Sequence, residues 1–219
     1  MLTAALAGLL AGLVHALAGP DHLAAVAPLV VERRPGGRRW WGSGIGLFWG
    51  AGHSCGVWGV GLLALALKDL LPLEQLSSWS ERLVGVVLVA VGVWGLGRAL
   101  RRRGHSSGAH GHDHSPSYPE NSAGARPRFA AFGIGALHGF AGSSHVLGLL
   151  PALALPSQAA ALAYVIAFGL GTVAAMAAFS TLLSGVAGRL TRFGPGAYPA
   201  LLASLSGAAI VVGGFWLMQ

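Results

Sequence analysis

Five histidines, His15, His22, His53, His138 and His145, and one carboxylate, Asp21, lie inside apolar stretches of this 219-residue chain. An ionisable group in hydrocarbon costs about 3 kcal/mol or more unless it is paired or hydrated, so its default reading is an ion path, a proton relay or a ligand site. Imidazole together with carboxylate suits borderline first-row ions such as nickel, cobalt and zinc, whereas calcium and magnesium favour oxygen-rich sites. The plainer alternative is that each histidine hydrogen-bonds across a helix interface. Five of them, recurring in both halves of the chain, exceed what packing requires.

On a continuous helix His15 and His22 share a face, but seven residues separate their backbones by about 10.5 Å along the axis. Joint coordination of one ion would be strained. Gly19-Pro20 lies between them, and a proline that cannot donate its backbone hydrogen bond favours a kink or a break. Gly19 as N-cap, Pro20 at the first helical position and Asp21 in the first turn make a sound helix start. A break there brings the two imidazoles together and frees carbonyls that can bind a cation. In the second half Gly142-Ser143-Ser144 takes the same place, with serines able to cap a returning half-helix.

His53 sits in GAGHSCG, among Gly50, Gly52 and Gly56. The four-residue spacings Gly46/Gly50, Gly52/Gly56 and Gly135/Gly139 predict close helix packing rather than a direct role. Ser54 and Cys55 offer a hydroxyl and a thiol, but a buried cysteine is most often inert, and Cys55 is left out of the site. A polar tract adds His105, His110, His112, Asp113 and His114, which either collects divalent ions or is a solvated linker that binds them incidentally.

The elements that must carry these residues are membrane spans. Hydrophobic residues make up 54% of the chain and charged residues only 10%, which rules out an ordinary soluble domain. Six segments reach the length of a crossing helix: 2–31, 41–67, 83–100, 129–150, 158–186 and 198–218. The fold class expected is therefore an all-α membrane protein of six transmembrane helices. Residues 101–128, rich in Ser, Gly, Pro, His and Arg, read as a flexible loop between a first unit at 1–100 and a second at 129–219. The start of the chain lacks a basic n-region, which argues for a retained first span.

The formal charge of +7 sits in the short polar segments, so no nucleic-acid partner is implied. On alternating sides, twelve arginines fall on one face, while Lys68 and Arg82 fall opposite. That bias predicts both termini outside and the His-containing loop in the cytoplasm, in a multi-pass protein of the cell membrane. Arg101, Arg102 and Arg103 suit lipid-headgroup anchors.

The halves also align. Val14–Leu23 lies over Leu137–Val146, pairing His15 with His138 and His22 with His145, and WGAG at Trp49–Gly52 lies over FGLG at Phe168–Gly171. Three spans per unit put the second copy upside down relative to the first, the inverted repeat of many transporters, with a site near the midplane.

His15–Leu29, Gly46–Val57 and Leu137–Ser157 resemble the UreH-type urease accessory membrane proteins, relatives of the nickel/cobalt transporters. The nickel/cobalt transporter family carries a second-span H-x4-D-H signature tied to metal recognition, and His15, Asp21 and His22 look like its counterparts. Five residues rather than four separate His15 from Asp21, and the family's inner aspartate is missing, with Ala18 and Gly19 in that region. The resemblance implies a six-span permease for nickel or cobalt. The ion is its substrate, no resident cofactor is implied, and a cytoplasmic metallochaperone or urease maturation proteins are its expected partners. The metal set is His15, Asp21, His22, His53, His138 and His145, working by alternating access.

Three other readings compete. Efflux of the same metals uses the same site. A thiol–disulfide electron carrier needs two exchanging cysteines, and Cys55 is the only one in the chain. An intramembrane metalloenzyme lacks support, since no HExxH or nucleophile–base pattern is present, and the expectation is a non-enzyme.

Overall fold

The computed structural model describes residues 1–31, 40–67, 73–105, 126–141, 143–194 and 196–218, and the regular elements among them are all helices. In chain order these are α1 (Leu2–Ala18), α2 (Pro20–Val31), α3 (Trp40–Leu67), α4 (Leu73–His105), α5 (Arg126–Phe140), α6 (Ser143–Leu153), α7 (Gln158–Leu190) and α8 (Ala197–Leu217), with a 3-10 turn at Thr191–Phe193 before α8. Three segments, Glu81–Arg102, Gln158–Leu190 and Ala197–Leu217, are long and apolar enough to cross a bilayer, and α1 with α2 adds a fourth if the bent pair is one span. The chain is thus an all-α, multi-pass membrane protein. His110, His112, Asp113 and His114 lie outside the described residues, as does the side chain of His105.

The side chains are sorted as lipid requires. On α1 the small residues Ala4, Gly8, Gly12 and Ala16 are buried at four-residue intervals, while Leu6, Leu10, Val14 and Leu17 on the other face are at least half exposed. Hydrocarbon solvates leucine as well as a protein core does, so helices in lipid associate through small residues that let backbones meet. Leu162, Ile166 and Leu170 on α7 face outward in the same way.

These small-residue faces fix the neighbours. α1 packs along α7, α3 along both α5 and α7, and α4 along α8. A Cβ on Gly12 would strike the Phe168 carbonyl on α7, and one on Gly52 or Gly56 would strike Phe132 or Ala136 on α5. The four-residue glycine spacings therefore serve packing, as the sequence predicts.

The first segment does not cross as a single rod. α1 stops at Ala18, Gly19 is extended (φ −79°, ψ 106°), and α2 leaves with a 70° bend. Pro20 at the head of α2 has no N–H to give back to α1, which is the physical reason for the break. Nine of the twelve residues of α2 are buried, so it runs through the interior, touching α3, α4, α5, α7 and α8. The second half is interrupted at the corresponding place, between Phe140 and Ser143.

Candidate metal centre

The bend at Gly19 sets the site. His15 lies one turn before the end of α1, and Asp21 and His22 occupy the first turn of α2. Folding α2 back brings the rings of His15 and His22 to 4.8 Å between centroids, where a straight helix would hold them apart. Gly19 lies against this turn: a Cβ there would land on the His22 imidazole and 2.9 Å from Asp21 Oδ1.

α3 and α5 contribute the other two members. Gly139 abuts the backbone of α3, since its Cβ would stand 2.9 Å from both His53 C and Val57 N. That contact seats His138 and His53 on the same interior space. The His53 ring is 5.6 Å from that of His15 and 5.0 Å from that of His22, and the His138 ring is 5.1 Å from that of His22. Asp21 joins the halves: the Nε2–H of His138 donates to Asp21 Oδ2 at 2.9 Å, while His22 Nδ1 stands 3.3 Å from Asp21 Oδ1.

Water is largely excluded. His22, His53 and His138 retain 2%, 0% and 1% of their surface and Asp21 retains 7%, whereas His15 is half-buried. Four imidazoles and one carboxylate gathered in such a space form a donor set that fits a late first-row divalent cation. Their ligand atoms fall into groups spaced within 4.8 Å. Five of the six residues read from the sequence thus converge, and His145 lies on α6 with its side chain outside the described residues. Ser54 faces elsewhere, its hydroxyl bridging Gly50 O at 2.9 Å and Gly169 O at 3.1 Å. Cys55 is exposed.

Two aromatic rings that sequence reasoning did not assign to the site enclose it. Trp49, fully buried, stacks on His53 at 5.2 Å and 7° between planes, and meets His22 and His138 at 5.5 Å each. Phe168 meets His15 at 5.3 Å. The WGAG and FGLG alignment equates Trp49 with Phe168, which marks the two as repeat equivalents without marking either as a site residue.

Comparison with known proteins agrees with this architecture. Residues 3–216 match the family described as cytochrome C biogenesis protein transmembrane region. The chain is 32% identical over 177 residues to urease accessory protein UreH of Bacillus sp. (strain TB-90), which covers 80% of this chain and 74% of that protein. It is 40% identical over 187 residues to Chloroplast protein FOR GROWTH AND FERTILITY 1 of Arabidopsis thaliana and 37% identical over 185 residues to Chloroplast protein FOR GROWTH AND FERTILITY 2. Those matches cover 83% and 84% of this chain but 50% and 47% of the plant proteins, so the chain spans about half their length. No solved structure matches it.

Proposed function

The chain belongs to the family of the cytochrome C biogenesis protein transmembrane region and is a homologue of UreH, and from that premise we propose that it carries a divalent transition metal, nickel(II) foremost, across the membrane. The observation that carries this reading is the meeting of Asp21 and His22 from the first half with His138 from the second, beside His15 and His53, in one buried cluster. Buried imidazoles around a carboxylate grip a partly dehydrated cation and offset its charge, which is what passage through hydrocarbon demands. Cobalt(II) is the second cargo that this donor set suits.

Alternating access between two inverted three-helix repeats is the mechanism we assign. Symmetric contacts support it. Gly12 of α1 abuts the Phe168 carbonyl, and its counterpart Gly135 abuts that of Trp49; Gly171 abuts Leu9, and its counterpart Gly52 abuts Phe132. The partners in each pair are themselves equivalent under the alignment of His15 with His138 and Trp49 with Phe168. The binding residues break this symmetry, because Ser144 takes the place of Asp21 and Thr172 that of His53. In the same reading both termini lie outside the cell membrane, the loop after α4 is cytoplasmic, and metallochaperone or urease maturation proteins receive the ion.

Family membership does not bring thiol chemistry with it, as the chain's one cysteine lacks a partner for exchange within the chain. The test is nickel uptake into proteoliposomes. His15→Ala, Asp21→Asn and His22→Ala are each expected to abolish it, and uptake unchanged in all three rejects the site. Nickel content of expressing cells fixes direction: above control means import, below control means efflux.

A further inference from the structure

The cluster is not one evenly spaced shell. Among the described residues, two sets of three ligand atoms lie within 4.8 Å of one another: His15, His22 and His53 form one, and Asp21, His22 and His138 form the other. With metal–nitrogen bonds of about 2.0–2.1 Å, three ligands spread evenly around one ion stand about 3.6 Å apart. Each set thus closes around an ion by inward shifts of up to about 0.7 Å per ligand atom, within the reach of ordinary side-chain motion.

His22 is common to both sets. A neutral imidazole has one nitrogen lone pair to give, because its other nitrogen carries the proton. His22 therefore serves one set at a time. Resting on the metal-carrier reading, we infer that a single divalent ion occupies two successive positions, with His22 the ligand common to both. The first is all imidazole and supplied by the first half alone. The second is mixed and ties the halves together through Asp21 and His138.

The order follows from exposure and bonding. His15 is the half-buried member of the cluster, so the all-imidazole position meets an arriving ion first. The mixed position is closed by the 2.9 Å bond between His138 and Asp21. Handover breaks the bonds to His15 and His53 and makes bonds to Asp21 and His138. His22 follows the ion by turning its ring or by exchanging which nitrogen bears the proton. An ion that started on one half ends up bridging both, which links its advance to the relative placement of the halves.

The test uses the full chain in detergent, with nickel(II) as the probe. Equilibrium dialysis gives stoichiometry and affinity, and X-ray absorption counts bound imidazoles by their outer-shell scattering. His15→Ala and His53→Ala are expected to keep one ion per chain with two imidazoles. Asp21→Asn keeps one ion with three imidazoles, as does His138→Ala. These four lose less than about tenfold in affinity, whereas His22→Ala loses at least about 100-fold, beyond the usual range for an outer-shell partner. Glutamine replacements at the same histidines stand in wherever an alanine variant does not fold by circular dichroism. Equal loss in all five variants means one pooled shell and overturns the two-position inference while leaving the carrier reading intact. Unchanged binding in all five removes the site, and the carrier reading with it. Two ions on one wild-type chain overturn the exclusive use of His22.

Discussion

Substituting Gly139 by alanine tests whether backbone contact, rather than the histidines alone, builds the metal centre. The added methyl would stand 2.9 Å from His53 C and 2.9 Å from Val57 N, with the His53 carbonyl oxygen nearer still. These are backbone atoms of a helix and cannot swing aside, so α5 must retreat from α3. Overpacking of this kind costs about 1–3 kcal/mol. The functional effect is larger. His138, one residue away, holds Asp21 at 2.9 Å, and a retreat of about 1 Å takes that pair beyond hydrogen-bond distance. A misplacement of about 1 Å costs a site about 100-fold in rate, so Gly139→Ala is expected to retain every histidine yet lose nickel uptake by about that factor. Gly133→Ala, on the same helix, is the control, since a Cβ there meets nothing within 4 Å among the described residues. Thermal unfolding in detergent and proteoliposome uptake are measured on both. If Gly139→Ala matches Gly133→Ala in both assays, the close approach of α3 and α5 does not hold the site and the reasoning fails.

Other perturbations separate the parts of the centre. Trp49→Ala removes the ring stacked on His53 and is expected to cost about 3–5 kcal/mol of stability, read by thermal unfolding. Trp49→Phe keeps an aromatic face and deletes an indole N–H that has no hydrogen-bond partner among the described residues, so metal binding by equilibrium dialysis is expected to stay near wild type. Gly19→Ala places a methyl on the His22 ring and is expected to weaken nickel binding, with helix content unchanged by circular dichroism. Acidification from about pH 7.5 to about pH 4 is expected to lower nickel affinity, most steeply at the acid end, because protonated imidazoles lose the lone pair and repel the cation. Affinity that rises on acidification would exclude histidine ligation.

Much of this was legible in the chain because chemistry in lipid leaves few alternatives. An imidazole or carboxylate within a span must have company, so His15, Asp21, His22, His53 and His138 stood out by type alone. Pro20 announced the break at Gly19 because a missing N–H has the same consequence in any helix. Trp49 was not legible as a site residue, since an aromatic ring in an apolar run reads equally as core. The cross-half pairing of α1 with α7 and of α3 with α5 was hidden as well: small residues mark a face for close approach without saying which helix will arrive. The carboxylate partner of His138 was hidden for the same reason, as it comes from 117 positions earlier in the chain.

The pairing of helices from opposite halves bears on how the molecule is made. When a ribosome has delivered the chain only through α4, Gly8 and Gly12 still await α7, and Gly52 and Gly56 still await α5. His138 has not yet been synthesised, so Asp21 waits for the imidazole that will hold it. Under the proposed carrier function such a nascent chain would offer cations only part of a grip, which the arrival of α5 and α7 would complete. Membrane insertion would then finish before an ion can be held by both halves. Two pieces severed within 106–125 and produced separately are expected to seek each other out in the bilayer, since each carries the grooves into which the other fits.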